Sequence, residues 1–355
     1  MTAPDRDRLS RTLDTLNEMM TAAHVAGLVG LGVRLGLYRA LADGGAATST
    51  ELAARTGLNE RWLREWLHGQ AAAGVVSYDG DGRFSVTPEV AVLLGDADHL
   101  FYLGGSFAGI PNRVGLVPRL EESFRTGLGL SFDERGSDAA LDTERLFRNW
   151  YRQLLVPVAL PLLDSVADKL STGATVADVG CGAAVALVEM AKAFPASSFH
   201  GYEVSAHALD RARENVEGAG IDNVALHNVA SEPLPDDARF DLIGTIDCLH
   251  DMTAPADIAG QIRKAIAPDG TWFIIDINGG ATFEDNLGAR MAPIMYAMSV
   301  YGCMSSALSE EGGAGLGTLG LPEPAMRDLV EGAGFRRFRR VPLDHPFNAF
   351  YEARP

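Results

Sequence analysis

The chain has 355 residues, of which 47% are hydrophobic and 22% are charged, which is typical of a globular protein and enough for two domains. Its formal net charge of −17 argues against a broad nucleic-acid-binding face, because such a face needs a strong basic patch. The cysteines Cys181, Cys248 and Cys303 form no zinc motif and no disulfide framework, so we expect reduced thiols.

The N-terminal sequence MTAPDRDRLS lacks the basic-then-apolar layout of a signal peptide. The apolar stretch that follows, HVAGLVGLGVRLGLYRALA, is interrupted by Arg34 and Arg39 and is too short between charges to span a bilayer. We therefore expect a cytoplasmic protein with no membrane partner.

Residues 1–96 are predicted to form a helical domain that ends in a small hairpin. The segment TSTELAARTG begins with a Ser/Thr cap, and Asn59 caps the next helix, which ends at Gly74. VVSYDGDGRFSVTP then indicates a strand, an Asp-Gly turn and a second strand. Helix, helix and hairpin in this order predict a winged helix.

Winged helices often bind DNA, but the second helix of this domain mixes its arginines with acidic and aromatic residues in ERWLREWLHGQ. A helix that reads DNA usually carries a denser basic stripe. The composition therefore favours a role in dimerisation or in covering a substrate, with no nucleic-acid partner.

Residues 97–172 are predicted to form a helical bridge that covers the substrate, and residues 173–355 a second domain. In the second domain strands and helices alternate from ATVADVG to GTWFIIDI. This α/β pattern predicts a Rossmann-like, mostly parallel sheet with helices on both faces. Ligands bind such sheets at the carboxyl ends of the strands.

The first strand of this domain leads through a glycine-rich turn into a helix, in VADVGCGAAVALVEMAKAFP. Gly180 and Gly182 permit both a sharp turn and the close approach of a ligand, and the helix start offers free N–H groups. Glu203 follows roughly 20 residues later at the tip of the second strand, where an acid can accept both ribose hydroxyl hydrogens. Together they predict a site for an adenosine-containing cofactor.

The loop reads D-x-G-x-G, whereas nicotinamide-binding loops usually read G-x-G-x-x-G, which disfavours an oxidoreductase. It resembles the first motif of class I S-adenosylmethionine-dependent methyltransferases. The likeness extends over nearly the whole chain, through RLGLYRALA, RFSVTPE, DCLHDM, APDGTWFIID and HPFNAFYEARP. The chain is therefore identified as similar to bacterial small-molecule methyltransferases with an N-terminal winged-helix domain.

This resemblance implies S-adenosylmethionine as cofactor, a small-molecule substrate and a homodimer formed through the N-terminal domain. It also implies which residues bind the cofactor. The loop residues would hold the methionine portion, Glu203 the ribose, and Asp247 the amino-acid end. The full implied set is Asp178, Gly180, Cys181, Gly182, Glu203, Val204, Ser231, Glu232 and Asp247, of which Val204, Ser231 and Glu232 would lie along the adenine.

The chain departs from the family at Ala184, where the pattern has glycine. If this position needs a positive φ, alanine costs roughly 1 kcal/mol or more. If the residue simply begins the helix, alanine is well suited to it. We favour the second reading and expect the loop to bind the cofactor.

His250 is the predicted general base, because it follows the fourth strand and its usual pKa lies near neutral pH. Asp247 and Asp251 flank it and could orient it, and Asp251 is the second predicted catalytic residue. The alternative is that His250 only caps the next helix. One histidine and two carboxylates could also bind a metal, but adjacent residues in one turn rarely converge on an ion, so we expect none.

A methionine-rich segment after the fifth strand is predicted to line the substrate pocket, with Met295, Tyr296 and Ser299 at helical spacing. These residues could equally be ordinary core. Trp150 and Arg152 of the bridge are further candidates, since an arginine there could hold a substrate carboxylate. The predicted function is methyl transfer to a small molecule. The alternatives are cyclisation of the cofactor with release of methylthioadenosine, and a cofactor-sensing DNA-binding regulator.

Overall fold

The computed structural model describes residues 4–355 and divides the chain into two compact units, which meet in sequence between Pro111 and Asn112. The first unit consists of helices and a short hairpin. In chain order its elements are α1 (Arg6–Arg34), α2 (Leu37–Gly44), α3 (Ser49–Thr56), α4 (Glu60–Ala72), β1 (Ser77–Tyr78), β2 (Phe84–Ser85), α5 (Pro88–Val90), a π-helical turn (Ala91–Gly95) and α6 (Gly104–Ala108). The next helix, α7 (Ile110–Val114), crosses the boundary.

Local signals in the sequence set the ends of these helices. Gly36 has φ +68° and separates α1 from α2. Thr48 and Glu51 form a capping box at the start of α3, and the Asn59 side chain accepts two backbone N–H groups at the start of α4. β1 and β2 then pair antiparallel, so the predicted winged-helix arrangement is present.

The boundary between the units lies within the segment that the sequence assigned to a bridge over residues 97–172. A Cβ on Gly30 of α1 would lie only 2.5 Å from the carbonyl oxygen of Phe107 in α6. Such close packing needs glycine and joins residues up to 111 to the first unit. In the sequence, this packing is indicated only by a glycine on α1, and the patterns used to predict domain boundaries do not include such a glycine.

The second unit is a seven-stranded sheet with helices. Its elements are α8 (Val117–Thr126), α9 (Ser137–Trp150), α10 (Val166–Thr172), β3 (Thr175–Val179), α11 (Val185–Ala193), β4 (Ser198–Glu203), α12 (Ala206–Ala219), β5 (Val224–Asn228), β6 (Phe240–Ile246), α13 (Pro255–Ala265), β7 (Ile266–Ile277), α14 (Phe283–Asn286), α15 (Ala292–Met298), α16 (Met304–Ala307), α17 (Glu323–Gly332), β8 (Arg337–Arg340) and β9 (Asn348–Arg354). π-helical turns follow α9 and α15, at Tyr151–Ala159 and Ser299–Cys303.

The strand order is β5-β4-β3-β6-β7-β9-β8. The five strands β3 to β7 pair in parallel, whereas β9 runs antiparallel to both β7 and β8. The central strands are buried on both faces, which fits the predicted layer of helices on each side. The carboxyl ends of β3, β4, β6 and β7 therefore lie along one edge, and Asn348 of β9 pairs with Ile277 at that same edge.

No single helix among residues 4–355 is long and apolar enough to cross a membrane, although α1 and α2, bent by 64°, satisfy length and composition as a pair.

Candidate functional site

The glycine-rich loop turns the chain at the end of β3. Gly180 has φ +76° and Gly182 has φ +53°, both in the left-handed region that favours glycine. A Cβ on Gly180 would lie 2.9 Å from the Cys248 sulfur, whereas a Cβ on Gly182 would meet no atom within 4 Å. Gly180 is thus needed for internal packing, and Gly182 leaves open space in which a ligand can approach the backbone.

Ala184 lies just before α11 and has φ +57° and ψ +25°. The expectation that it simply begins the helix is wrong, because α11 starts at Val185 and Ala184 is left-handed. A Cβ in this conformation costs about 1 kcal/mol. The residue is fully buried, so the surrounding structure holds it in place.

Glu203 connects the glycine loop to the tip of β4. Its Oε2 accepts the Gly182 N–H at 2.9 Å, and its Oε1 accepts the N–H groups of Val204 and Ser205 at 2.8 and 2.9 Å. A carboxylate offers about four acceptor positions, so one position on Oε2 remains. Burial raises the pKa of Glu203, and these three N–H groups lower it by less. The carboxylate therefore keeps one acceptor position for a ligand.

Two further carboxyl groups lie at this edge, that of the buried Asp178 and that of the partly buried Asp247. Asp178 Oδ1 is out of contact with solvent and has no hydrogen-bond partner among the described residues. Burial and, second, Glu203 raise the pKa of Asp178 to about 7. Burial, opposed in part by His250, also raises the pKa of Asp247 to about 7. An unpaired buried carboxyl calls for a cationic ligand, and the methionine portion of the predicted cofactor is cationic.

The residues assigned to the adenine lie at the surface. The Val204 side chain is 63% exposed. Ser231 and Glu232 stand in the turn after β5, where both backbone N–H groups donate to the Asn228 carbonyl. Glu232 Oε2 is 2.6 Å from Nδ1 of His227. These positions leave the predicted adenine contacts open to a ligand.

Cys181 contributes backbone rather than side chain to the loop. Its N–H donates to the Tyr202 carbonyl at 3.2 Å. A Cβ on Gly201 would lie 2.8 Å from the Cys181 sulfur, so the thiol packs inward against β4. The thiol is buried, and burial raises its pKa well above the usual value.

His250 is buried in a single turn of 3₁₀ helix, Leu249–Asp251, directly after β6. Its Nδ1 lies 2.7 Å from Oδ1 of the buried Asp276 at the end of β7. Because a carboxylate accepts, Nδ1 carries the hydrogen and Nε2 has the free lone pair in the neutral ring. Burial lowers the pKa of His250, but Asp276 and the neighbouring Cys303 thiol raise it by more, to well above its usual value.

Asp247 turns the chain toward His250 with φ +60°. Its Oδ1 accepts from Nδ2 of Asn348 at 3.0 Å, and its N–H donates to Ile275. Ligand atoms of Asp247, His250 and Asp276 lie within 4.8 Å of one another, so this trio is nearer a metal-binding arrangement than the trio with Asp251 considered from the sequence. Hydrogen bonds within the protein already use His250 Nδ1, Asp276 Oδ1 and Asp247 Oδ1.

Asp251 is partly buried beside His250, and its side chain does not orient the imidazole in this structure. Burial raises the pKa of Asp251 to about 6, although the charges of His250 and Arg135 lower it. The predicted orienting role falls instead to Asp276.

The predicted substrate residues lie in different surroundings. Ser299 is buried, and its Oγ accepts from the Thr318 N–H at 3.2 Å. Tyr296 is partly exposed and contacts Phe283, and Met295 is half-buried on the same helix, α15. Trp150 packs against Tyr151, His345 and Phe350. Arg152 is exposed, with Nε 3.8 Å from Glu189 on α11.

Sequence reasoning missed three residues of the site: Asp276, Asn348 and Arg135. Asp276 had a usable signal, since it is an acid at the end of the buried strand FIIDI. Asn348 had none, because its strand is antiparallel and distant in the chain. Tyr151, which follows Trp150 in the predicted bridge, has a buried phenol, and burial and then the charges of Asp247 and Asp178 raise its pKa. Arg135 lies in the single-turn helix Asp133–Arg135, and its Nε and Nη2 have no hydrogen-bond partner among residues 4–355.

Comparisons with known sequences give two domain matches. Residues 170–310 match the family described as a methyltransferase domain, and residues 23–95 match the Rv2258c-like winged HTH domain. Over 273 residues the chain is 29% identical to a mitomycin biosynthesis 6-O-methyltransferase of Streptomyces lavendulae, covering 74% of this chain and 77% of that protein. A ubiquinone biosynthesis O-methyltransferase of Actinobacillus pleuropneumoniae is 28% identical over 130 residues, which cover 35% of this chain and 54% of that one.

Solved structures resemble this chain over nearly its full length. The mitomycin 7-O-methyltransferase MmcR has a TM-score of 0.69 at 22% identity, with 99% of this chain and 100% of that chain covered. Human N-acetylserotonin methyltransferase, solved in complex with S-adenosylmethionine, has a TM-score of 0.68 at 16% identity, with 100% and 99% covered. At these identities the likeness establishes a shared fold.

Proposed function

This chain is a methyltransferase with an N-terminal winged-helix domain, and we propose that it methylates a hydroxyl oxygen of a small organic acceptor. The observation that carries the proposal is the buried pair of His250 and Asp276 at the carboxyl edge of the sheet. The O-methyltransferases among its relatives, with 29% and 28% identity, support oxygen as the methylated atom.

S-adenosylmethionine supplies an electrophilic methyl group on a sulfonium. The unpaired carboxyl of Asp178, together with Asp247, would hold its cationic methionine portion, and Glu203 would accept one ribose hydroxyl. Gly182 leaves room for the ligand at the backbone. We assign Val204, Ser231 and Glu232 to the adenine on the family resemblance alone.

His250 acts as general base. Its Nε2 accepts the proton of the acceptor hydroxyl while Asp276 holds Nδ1–H and stabilises the imidazolium that forms. A raised pKa makes the ring a stronger base, and a hydroxyl is too weak a nucleophile without one. Asp251, beside His250, adds negative charge that favours the protonated ring.

The reaction needs no divalent cation in this proposal. A metal at Asp247, His250 and Asp276 would have to replace the hydrogen bonds from His250 to Asp276 and from Asn348 to Asp247. We therefore expect turnover to persist after dialysis against a chelator. Loss of turnover that Mg²⁺ or Mn²⁺ restores would contradict the metal-free mechanism.

The first unit serves as a dimerisation domain. Large apolar side chains recur along α1 at helical spacing and stay more than half exposed: Leu9, Leu13, Leu16, Met19 and Met20. Such a stripe fits a second copy of the chain. The arginines of α4 pair with acids, Arg61 with Glu65 and Arg64 with Glu60, which weakens any basic surface for nucleic acid.

The function is tested by incubating the protein with S-adenosylmethionine, alone and with an extract of small metabolites. We expect S-adenosylhomocysteine only with extract, and a roughly hundredfold or greater loss of rate in His250→Gln with cofactor affinity retained. Methylthioadenosine formed without extract would show that the protein cleaves the cofactor's own methionine chain and does not transfer its methyl group. Cofactor-dependent binding of DNA without turnover would indicate a regulator.

A further inference from the structure

Arg135 is a partly buried residue whose guanidinium has an unused pair of donors. Its Nε and Nη2 atoms are shielded from solvent, and neither has a hydrogen-bond partner in the described part of the chain. These two nitrogens form one edge of the guanidinium, which is the fork that binds a carboxylate through two parallel hydrogen bonds. A buried charged donor left unpaired is costly, so native proteins seldom keep one without a function.

The turn that carries Arg135 is anchored by its neighbours. Before it, the Leu130 N–H donates to Ser305 Oγ at 2.8 Å. Within it, Asp133 accepts from the Ser205 hydroxyl at 2.5 Å, at the start of α12. These contacts of neighbouring residues fix the position of Arg135. The turn therefore stays in place without any hydrogen bond from the Nε and Nη2 of Arg135.

The plane of the guanidinium is also constrained. Its Cζ lies 4.0 Å from the centre of the Phe132 ring, which covers one face. A Cβ on Gly302 would lie 3.0 Å from Nη1, so a side chain at this position would crowd the group. Stacking on Phe132 and the close approach of Gly302 hold the group in place, and its Nε and Nη2 edge is the one without a hydrogen-bond partner in the described part of the chain.

Arg135 and His250 have neighbouring residues in common. The charged groups that act on it most are Asp251, the residue after His250, and Cys303, whose thiol lies beside the imidazole. Burial lowers the pKa of Arg135, but a guanidinium remains protonated in proteins. A ligand on its free edge would therefore lie close to the base.

From this juxtaposition we infer that Arg135 binds a carboxylate of the acceptor, so that the substrate is a hydroxy acid. The inference rests on the proposed function and specifies its substrate class. The planar fork can bind either a carboxylate or a phosphate through two hydrogen bonds. A single negative charge suits an edge that already carries the carboxyl groups of Asp178, Glu203, Asp247 and Asp251.

The first arm of the test uses S-adenosylmethionine labelled in the methyl group, a metabolite extract, and three proteins. They are the wild type, Arg135→Gln, and the control Arg125→Gln, which removes an exposed arginine paired with Glu121 and Glu122. We expect the labelled product to be retained by an anion exchanger. Arg135→Gln should lower labelling roughly ten- to hundredfold with cofactor affinity unchanged, and the control should match the wild type.

The second arm needs no turnover. Benzoate and benzamide are titrated by calorimetry into the protein saturated with S-adenosylhomocysteine. We expect benzoate to bind the wild type more tightly than benzamide, and the preference to be lost in Arg135→Gln and reduced in Arg135→Lys, which keeps the charge without the fork.

Each outcome decides between the two claims. Uncharged labelled products, or full labelling by Arg135→Gln, overturn the role of Arg135 and leave methyl transfer standing. No labelled product from the wild type counts against the proposed function itself, and the benzoate titration then decides the role of Arg135. Equal binding of benzoate by the wild type and Arg135→Gln overturns it.

Discussion

At the scale of single residues, His250, which we propose as the general base, depends on an acid 26 positions away in the chain. The sequence indicated Asp247 and Asp251 as partners for His250, because a short spacing along the chain is the only evidence of proximity that a sequence pattern gives. The adjacent parallel strands β6 and β7 bring Asp276 to the imidazole instead. His250 itself could be predicted from its place after a strand, but its partner required the strand order.

Asp276→Asn tests this pairing through the pH profile. The base must be neutral to act, so kcat/KM falls as pH drops below the pKa of His250. Because Asp276 raises that pKa, its removal should move the acid limb to lower pH and reduce the maximum by roughly a hundredfold. The exposed Asp257→Asn is the control. An acid limb at the wild-type pH in Asp276→Asn would show that the two side chains do not act together.

Asp178→Asn should change the free energy of unfolding and the affinity for the cofactor in opposite directions. The folded pKa of Asp178, about 7, exceeds its unfolded value, so ionisation of this carboxyl destabilises the fold as pH rises from about 4 to 7. We expect Asp178→Asn to be more stable than the wild type by about 1.5 kcal/mol near pH 5 and by at most about 4 kcal/mol near pH 8.

The same substitution should weaken S-adenosylmethionine binding, since the neutral amide cannot pair with a cation. Urea unfolding at both pH values and calorimetry measure the two effects, with the exposed Asp168→Asn as control. A variant that is equally destabilised at pH 5 and pH 8 would mean that Asp178 has a packing role only.

At the scale of elements, the turn between β3 and α11 could be predicted in kind but not in its dihedral angles. The glycines at 180 and 182 and the acid at 203 indicated a cofactor loop from sequence alone. The conformation of Ala184 was predicted wrongly, because alanine is a good helix former and nothing in the local sequence signals a left-handed residue. The packing around the loop imposes that conformation.

Ala184→Gly is expected to be neutral or to stabilise the protein by up to about 1 kcal/mol, because relief of the left-handed strain offsets the added chain entropy. The matched control is Ala191→Gly in the interior of α11, where the same change should cost about 1 kcal/mol. Urea unfolding measures both variants. Equal destabilisation of the two would show that Ala184 carries no strain.

At the scale of the whole molecule, the alternation of strands and helices predicted the parallel sheet, and the helices with a hairpin predicted the winged helix. Both are confirmed, as is the family resemblance. The antiparallel pairing of β8 and β9 and the place of residues 97–111 were beyond sequence patterns. They depend on contacts between distant segments, such as Gly30 with Phe107.

The exposed stripe on α1 leads to a prediction about assembly. If α1 binds a second copy, Leu13→Asp should convert a dimer into a monomer without unfolding the chain, because a buried unpaired charge is costly at an interface. Arg11→Asp, on the opposite side of α1, is the control. Sedimentation velocity gives the mass, and circular dichroism checks the fold. A Leu13→Asp protein with the wild-type mass would place the interface elsewhere.

The most direct test of the central claim is the identity of the atom that receives the methyl group. The protein would be incubated with S-adenosylmethionine carrying ¹³C in the methyl group and with a metabolite extract, and the product carbon would be identified by NMR. We predict an O-methyl resonance that appears together with S-adenosylhomocysteine and is lost in His250→Gln. A label found on nitrogen, carbon or sulfur, or left on methylthioadenosine, would contradict base-assisted O-methylation.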